Sequence, residues 1–224
     1  QNKNNFAFVN LKNLLKQIKK YNYNSKRILV KTNEYKKIKK NIKNNYLNLE
    51  VNEENMSFVY SLSKILKIKK KNFIKSLKSF KGLEHRHEIF FKKDNKVFVN
   101  DSKATTFEAS RFALKNNKNI FWIVGGKPKL GDRFKLYKIK KNIIKAYIIG
   151  KHMGNFKKHL AKKIKFQLCK NLNNAVFSIF KDTKNINEKK ITILLSPASA
   201  SYDQFENFQE RGNKFKKIVK SYYK

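Results

Sequence analysis

Two stretches decide how this chain reads: Asn100-Asp101-Ser102-Lys103-Ala104-Thr105, and Leu194-Leu195-Ser196-Pro197-Ala198-Ser199-Ala200-Ser201-Tyr202-Asp203. Each follows an apolar, strand-like run and precedes an amphipathic helical pattern. That order sets small hydroxyl residues, a lysine and free backbone N–H groups at strand ends and helix N-termini, where anionic ligands bind in α/β proteins. One such loop is weak support for a site. Two in one chain point to a single ligand site built from both.

Working outward, strands are expected at 87–91 and 96–100, around the turn-prone Lys93-Asp94-Asn95, then at 119–124, 143–149, 164–168 and 191–195. Helices are expected at 105–116, 153–163, 171–182 and 205–221, from apolar residues at helical spacing. Continuous apolar strands separated by helices predict an α/β fold with a largely parallel, doubly wound sheet. Residues 1–80 read differently. Phe6–Val9 and Arg27–Val30 are short strands, with a helix through Leu11, Leu14, Leu15 and Ile18 between them. The lysine-rich stretch 33–46 has no decisive pattern, while Glu53 to Ile68 and Lys71 to Phe80 read as helices. With so few strands, this segment is expected to be the tail of a domain that starts upstream.

Other clusters carry chemistry. Gly125-Gly126-Lys127-Pro128-Lys129-Leu130-Gly131-Asp132 follows the strand ending Trp122-Ile123-Val124. Its glycines let backbone approach a ligand, and Lys129 can reach a carboxylate or phosphate; a plain turn with solvated lysines is the alternative. No Gly-Lys-Ser/Thr follows at P-loop spacing. Thr105 stands where a helix N-cap is expected, either as a cap alone or as a ligand contact. Ser196 to Ser201 has no Gly-x-Ser-x-Gly elbow, so binding through hydroxyls and backbone N–H groups reads better than a catalytic serine. His85-Arg86-His87 would put two histidines on one strand face, with no third ligand to complete a metal site.

The chain of 224 residues is 40% hydrophobic, with 19 Phe and 10 Tyr, enough for a substantial core. No apolar run approaches the roughly 18 residues of a bilayer span, and Gln1 to Asn5 show no signal-peptide pattern. Cys169 is the sole cysteine, which rules out an intrachain disulfide and fits a reducing, cytoplasmic setting. A net charge of +39 raises a basic nucleic-acid-binding protein as a rival reading. Only five of the 54 basic residues are arginines, however, and base-edge readers favour arginine for its bidentate fork. The lysines are spread along the whole chain among Asn and Ile, as on a solvated surface. Arg86, a rare arginine among lysines, points to a position where geometry matters.

Taken in order, these pieces resemble the Mur ligases, and within them the branch that adds D-glutamate. The resemblance runs through Asn52-Glu53-Glu54-Asn55, Gly82-Leu83-Glu84-His85-Arg86, Asp101-Ser102-Lys103-Ala104-Thr105 and Gly125-Gly126-Lys127. It continues through Ser196-Pro197-Ala198-Ser199-Ala200-Ser201-Tyr202-Asp203-Gln204-Phe205 to Asn207-Phe208-Gln209-Glu210-Arg211-Gly212. The chain departs from the family at Val51, where a histidine is usual.

The resemblance implies that residues 1–80 are the last part of a central ATPase α/β domain and residues 81–224 a C-terminal Rossmann-like domain. It implies ATP and Mg²⁺ as cofactors, with the P-loop and the Mg²⁺ ligands upstream, no metal ligand here, and no catalytic residue assigned within this segment. Asn52, Asn55, Arg86, Asp101 and Lys103 fall on the ATP side; Thr105, Lys129, Ser201, Tyr202 through its backbone, and Phe208 fall on the D-glutamate side. The implied reaction joins D-glutamate to UDP-N-acetylmuramoyl-L-alanine through an acyl phosphate, in cytoplasmic peptidoglycan precursor synthesis. The segment is expected to be inactive alone and monomeric, with no nucleic acid and no membrane insertion. Another Mur-type or folylpolyglutamate-type ligase is the alternative.

Overall fold

The computed structural model describes residues 5–11, 14–16, 20, 25–44, 46–49, 52–184, 186 and 188–223. They form two compact units, residues 1–82 and 83–224.

In the first unit, β1 (Phe6–Val9) pairs in parallel with β2 (Lys26–Leu29), Phe6 opposite Lys26 and Val9 opposite Leu29. Residues 14–16 between them are helical, whereas Ile18 and Val51 lie outside the described residues. Three helices follow: α1 (Thr32–Lys39), α2 (Glu53–Ile65) and α3 (Lys70–Ser79). Helix α1 occupies the lysine-rich stretch whose pattern decided nothing. It forms because Tyr35 and Ile38, one turn apart, enter a core with Ile42, Leu47, Met56 and Phe73 while the lysines face water. Asn44 stitches this core. Its Nδ2 donates to Leu77 O (2.9 Å), which also accepts from Phe80 N at 3.4 Å, and to Phe80 O (2.6 Å), at the C-terminal end of α3, and its Oδ1 accepts from Leu47 N.

The second unit is a six-stranded sheet in the order β3-β4-β8-β5-β6-β7. Its strands are β3 (Glu88–Lys93), β4 (Lys96–Asn100), β5 (Ile120–Gly125), β6 (Ile143–Ile149), β7 (Phe166–Lys170) and β8 (Ile191–Leu195). The β3–β4 hairpin is antiparallel and every other pairing is parallel. Helices α4 (Phe107–Asn116) and α5 (Met153–Leu160) cover one face; α6 (Leu172–Asp182) and α7 (Phe208–Tyr222) cover the other. The doubly wound parallel sheet is therefore present. Side-chain alternation divides the strands between two cores, Val97, Val99, Trp122 and Leu194 on one side and Phe98, Phe121, Ile123 and Ile193 on the other. Central β5 and β8 are buried along their whole length, which is why they read as apolar runs, interrupted in β8 only by the buried Thr192.

Several boundaries differ from those expected. The α5 helix stops at Leu160, because Lys162 takes a left-handed conformation (φ 59°) and Ile164 folds back into the core beneath it. Strand β7 accordingly starts at Phe166. The segment His85–His87 is a turn, with His85 at φ 62° and His87 at φ 47°, so the histidines do not share a strand face. Its backbone bonds run to the loop after β4: Lys103 N donates to His85 O at 3.0 Å, and His87 N to Asp101 Oδ1 at 3.0 Å. Helix α4 begins at Phe107, capped by Thr106 and not Thr105; the extended Thr106 accepts from Ala109 N through its hydroxyl. Helix α7 begins three residues later than expected, capped by Asn207, whose Oδ1 accepts from Glu210 N at 2.8 Å.

Candidate functional site

Because β8 lies between β4 and β5, the loops that leave the C-terminal ends of these three strands are neighbours. Backbone bonds join them. Asp101 N donates to Leu195 O (2.8 Å), Gly125 N to Pro197 O (3.0 Å), and Lys127 and Ala200 exchange a reciprocal pair. Gly126 makes that last approach possible. It sits at φ 136°, and a Cβ there would lie 2.4 Å from Ala200 O.

Side chains cross the same boundary. Ser196 Oγ donates to Asp101 Oδ2 at 2.7 Å, and Ser196 O accepts from Trp122 Nε1 at 2.7 Å. Burial pushes the Asp101 carboxyl up to about 7, against the opposing pull of the Ser196 hydroxyl, the His87 N–H and the Arg86 charge. Asp132 Oδ2 accepts from Phe107 N at 2.7 Å, which fixes the loop after β5 to the start of α4.

Arg211, in the first turn of α7, is 1% exposed and reaches two of the loops. Its Nε donates to Ser102 Oγ (3.0 Å), and its Nη2 donates to Ser102 O (2.9 Å) and Ser199 O (3.1 Å). The buried Nη1 has no hydrogen-bond partner among the described residues. Burial lowers the Arg211 pKa to about 10, so it remains a cation at neutral pH. Ser102 Oγ in turn donates to Phe208 O at 2.8 Å. Next to Arg211, Gly212 lets His85 pack against α7, since a Cβ there would stand 2.2 Å from His85 Nδ1. His85 also lies 2.9 Å from Asn100 Nδ2 and meets the Phe208 ring edge-on.

The residues singled out from sequence are placed as follows. Asp101, Lys103 and Phe208 gather around Ser102 and His85, with Arg86 in the adjoining turn. The Lys103 ammonium sits 3.9 Å from the Phe208 ring centroid, so two residues assigned to different ligands touch. Ser201 is buried, Thr105 half-buried, and Tyr202 exposed. Lys129 is exposed on the rim of a cavity of about 310 Å³, which Asp132, Phe134, Asn155, His159 and Ala198 also line. Neither Ser201, Tyr202 nor Phe208 lines it. Asn52 and Asn55 belong to the first unit, at the start of α2; Asn52 Nδ2 donates to Tyr46 O at 2.7 Å, and Asn55 is exposed. Among the described residues, no group of three His, Cys, Asp or Glu side chains is arranged to hold a metal ion, and no helix is long and apolar enough to cross a membrane. Sequence reasoning did not single out Arg211, Ser102 and Ser196, whose side chains join these loops. The scarcity of arginine that drew attention to Arg86 applied equally to Arg211.

No family model matches the chain. Curated proteins do. The UDP-N-acetylmuramoylalanine–D-glutamate ligase of Wolbachia sp. subsp. Brugia malayi is 43% identical over 169 residues, which cover 75% of this chain and 34% of that protein. The enzyme of the same name from Rickettsia felis is 37% identical over 169 residues, covering 75% of this chain and 38% of its own length. The chain belongs to the Mur ligase family. It spans about a third of the length of these ligases. A solved Mur ligase, MurF from Acinetobacter baumannii, shares the fold at 13% identity and a TM-score of 0.54, covering 77% of this chain and 38% of that one.

Proposed function

We propose that the chain is the part of an ATP-dependent amide ligase that receives D-glutamate and presents its amine to an activated carboxylate. One observation carries this reading: the loops after β4 and β8 leave neighbouring parallel strands and are cross-bonded through Ser196 and Asp101 at 2.7 Å. Similarity of 37–43% to D-glutamate ligases supports it. In this reading Lys129, Thr105, Ser201, the Tyr202 backbone and Phe208 hold D-glutamate. Its two carboxylates suit a lysine and N–H donors, and charge-assisted hydrogen bonds of about 1.5–3 kcal/mol each orient the amine. Arg86, Asp101, Lys103, Asn52 and Asn55 serve the nucleotide side.

ATP supplies the phosphoryl group that converts the carboxylate of UDP-N-acetylmuramoyl-L-alanine into an acyl phosphate. The D-glutamate amine then forms the C–N bond, phosphate leaves with the C–O bonding pair, and the amine gives up a proton. The residues of this chain bind and orient the donor. Mg²⁺ belongs to the parts of the ligase outside this segment, and the setting is the cytoplasmic synthesis of a peptidoglycan precursor.

The test is a chimera in which this segment replaces the corresponding third of a curated relative. Phosphate release that requires D-glutamate, and that L-glutamate does not support, is the expected result. Turnover with a different amino acid in place of D-glutamate would overturn the substrate assignment.

A further inference from the structure

We infer that Arg211 and Ser102 form a clamp that positions the Ser199–Ser201 loop and Phe208 for the D-glutamate side of the site. The inference rests on the proposed function and adds two positioning residues to it. Arg211 stands on α7, yet all three of its side-chain hydrogen bonds leave that helix, two to Ser102 after β4 and one to Ser199 after β8. Ser102, fully buried, turns the clamp back on α7 by donating to Phe208 O. Four points on three chain segments are thereby held by one guanidinium and one hydroxyl.

The acceptors in these bonds are neutral, and the charge of Asp203 offsets the desolvation of the buried cation only in part. An apolar side chain of similar volume would fill the space at less cost. What the guanidinium adds is direction: its planar fork fixes the Ser102 and Ser199 carbonyls relative to each other, which an ammonium cannot do. Its remaining buried nitrogen, Nη1, lies 3.3 Å from where a Gly126 Cβ would stand, so the group also abuts the loop after β5. A position two residues from Ser199 carries the Ser201 hydroxyl, and Phe208 carries the ring over which Lys103 sits.

The experiment compares the 224-residue chain with Ser102→Ala and Arg211→Lys by backbone amide NMR, first alone and then titrated with D-glutamate, with L-glutamate as comparator. Without ligand, Ser102→Ala is expected to shift the amides of Ser199, Ala200, Ser201 and Phe208 while leaving β6 and β7 unchanged. The D-glutamate dissociation constant is expected to rise about tenfold in Arg211→Lys, and by a smaller factor in Ser102→Ala, whose thermal midpoint is expected to fall because the buried Arg211 Nε loses its acceptor. Equal D-glutamate affinity in all three proteins would overturn the clamp and leave the proposed function standing. If the parent chain shows no preference for D-glutamate, the proposed function fails instead. The ligand-free spectra then decide the clamp, since shifts confined to residues 101–104 would overturn it. Should Arg211→Lys not fold, Ser102→Ala carries the test alone.

Discussion

The Asp101 carboxylate accepts a hydrogen bond from the Ser196 hydroxyl at 2.7 Å across 95 residues of sequence, at the ends of neighbouring strands β4 and β8. The contact lies in a buried place, and burial pushes the Asp101 carboxyl up to about 7 from an ordinary 3.8. A carboxyl whose pKa is raised by folding binds its proton more tightly in the native state. Between about pH 4 and pH 7 the folded chain holds a proton that the unfolded chain has released, so stability falls as pH rises through that window. Asp101→Asn keeps an acceptor for the His87 N–H but cannot ionise. Thermal melts should therefore place the variant above the parent chain at pH 8, with the gap narrowing towards pH 5. A gap of constant size across that range would contradict the assignment.

Gly126 is required by both its conformation and its neighbours. At φ 136°, with a Cβ position 2.4 Å from Ala200 O and 2.6 Å from Ser199 Oγ, any side chain must push the β5 and β8 loops apart. Gly131, at φ 78° with nothing within 4 Å of its Cβ position, tests conformation without the clash. Gly131→Ala is expected to cost about 1 kcal/mol from the left-handed backbone alone. Gly126→Ala should cost more than about 2 kcal/mol, read from urea midpoints at unchanged slope. Equal costs would mean that the loops are free to separate.

How much of this was legible from residues alone varied with the physics involved. Strands β5 and β8 could be read directly, because complete burial leaves a run that is apolar but for Thr192. The two loops after β4 and β8 were legible because small residues and hydroxyls sit between a strand and a helix. Helix α1 was not, since its lysines outnumber Tyr35 and Ile38 and mask their one-turn spacing. The cap of α4 fell on Thr106 in place of Thr105 because adjacent threonines have equal capping chemistry, and only the backbone turn at Asp101–Ala104 separates them. The turn at His85–His87 rests on left-handed non-glycine residues held by bonds to a distant loop, which no local pattern reveals. Arg211 was passed over because it reads as one more helical cation until its fork is seen to leave the helix.

Lys103 and Phe208 offer a pair energy that can be measured. The ammonium lies 3.9 Å from the ring centroid, between half-buried groups, where a cation–π contact contributes about 0.5–2 kcal/mol. A double-mutant cycle with Lys103→Met and Phe208→Leu should show a coupling of at least about 0.5 kcal/mol in denaturant stability. Strict additivity of the two substitutions would mean that the contact contributes nothing to the fold.

Lys129 and Ser201 separate affinity from architecture in the proposed ligase. Lys129 is exposed on the rim of a cavity, so Lys129→Ala removes a charge without opening the core. Losing one charge-assisted hydrogen bond of about 1.5–3 kcal/mol corresponds to a rise in the KM for D-glutamate of roughly tenfold or more, with the KM for ATP little changed. Ser201 is 2% exposed and accepts from Gln204 N and Phe205 N through its carbonyl, so Ser201→Ala leaves those backbone bonds in place and removes only the hydroxyl. It should likewise raise the KM for D-glutamate more than that for ATP. Steady-state kinetics of both variants in the full-length ligase, varying one substrate at a time, would read the split directly. Parallel rises in both KM values would show that the two residues support the site as a whole and do not hold the amino acid.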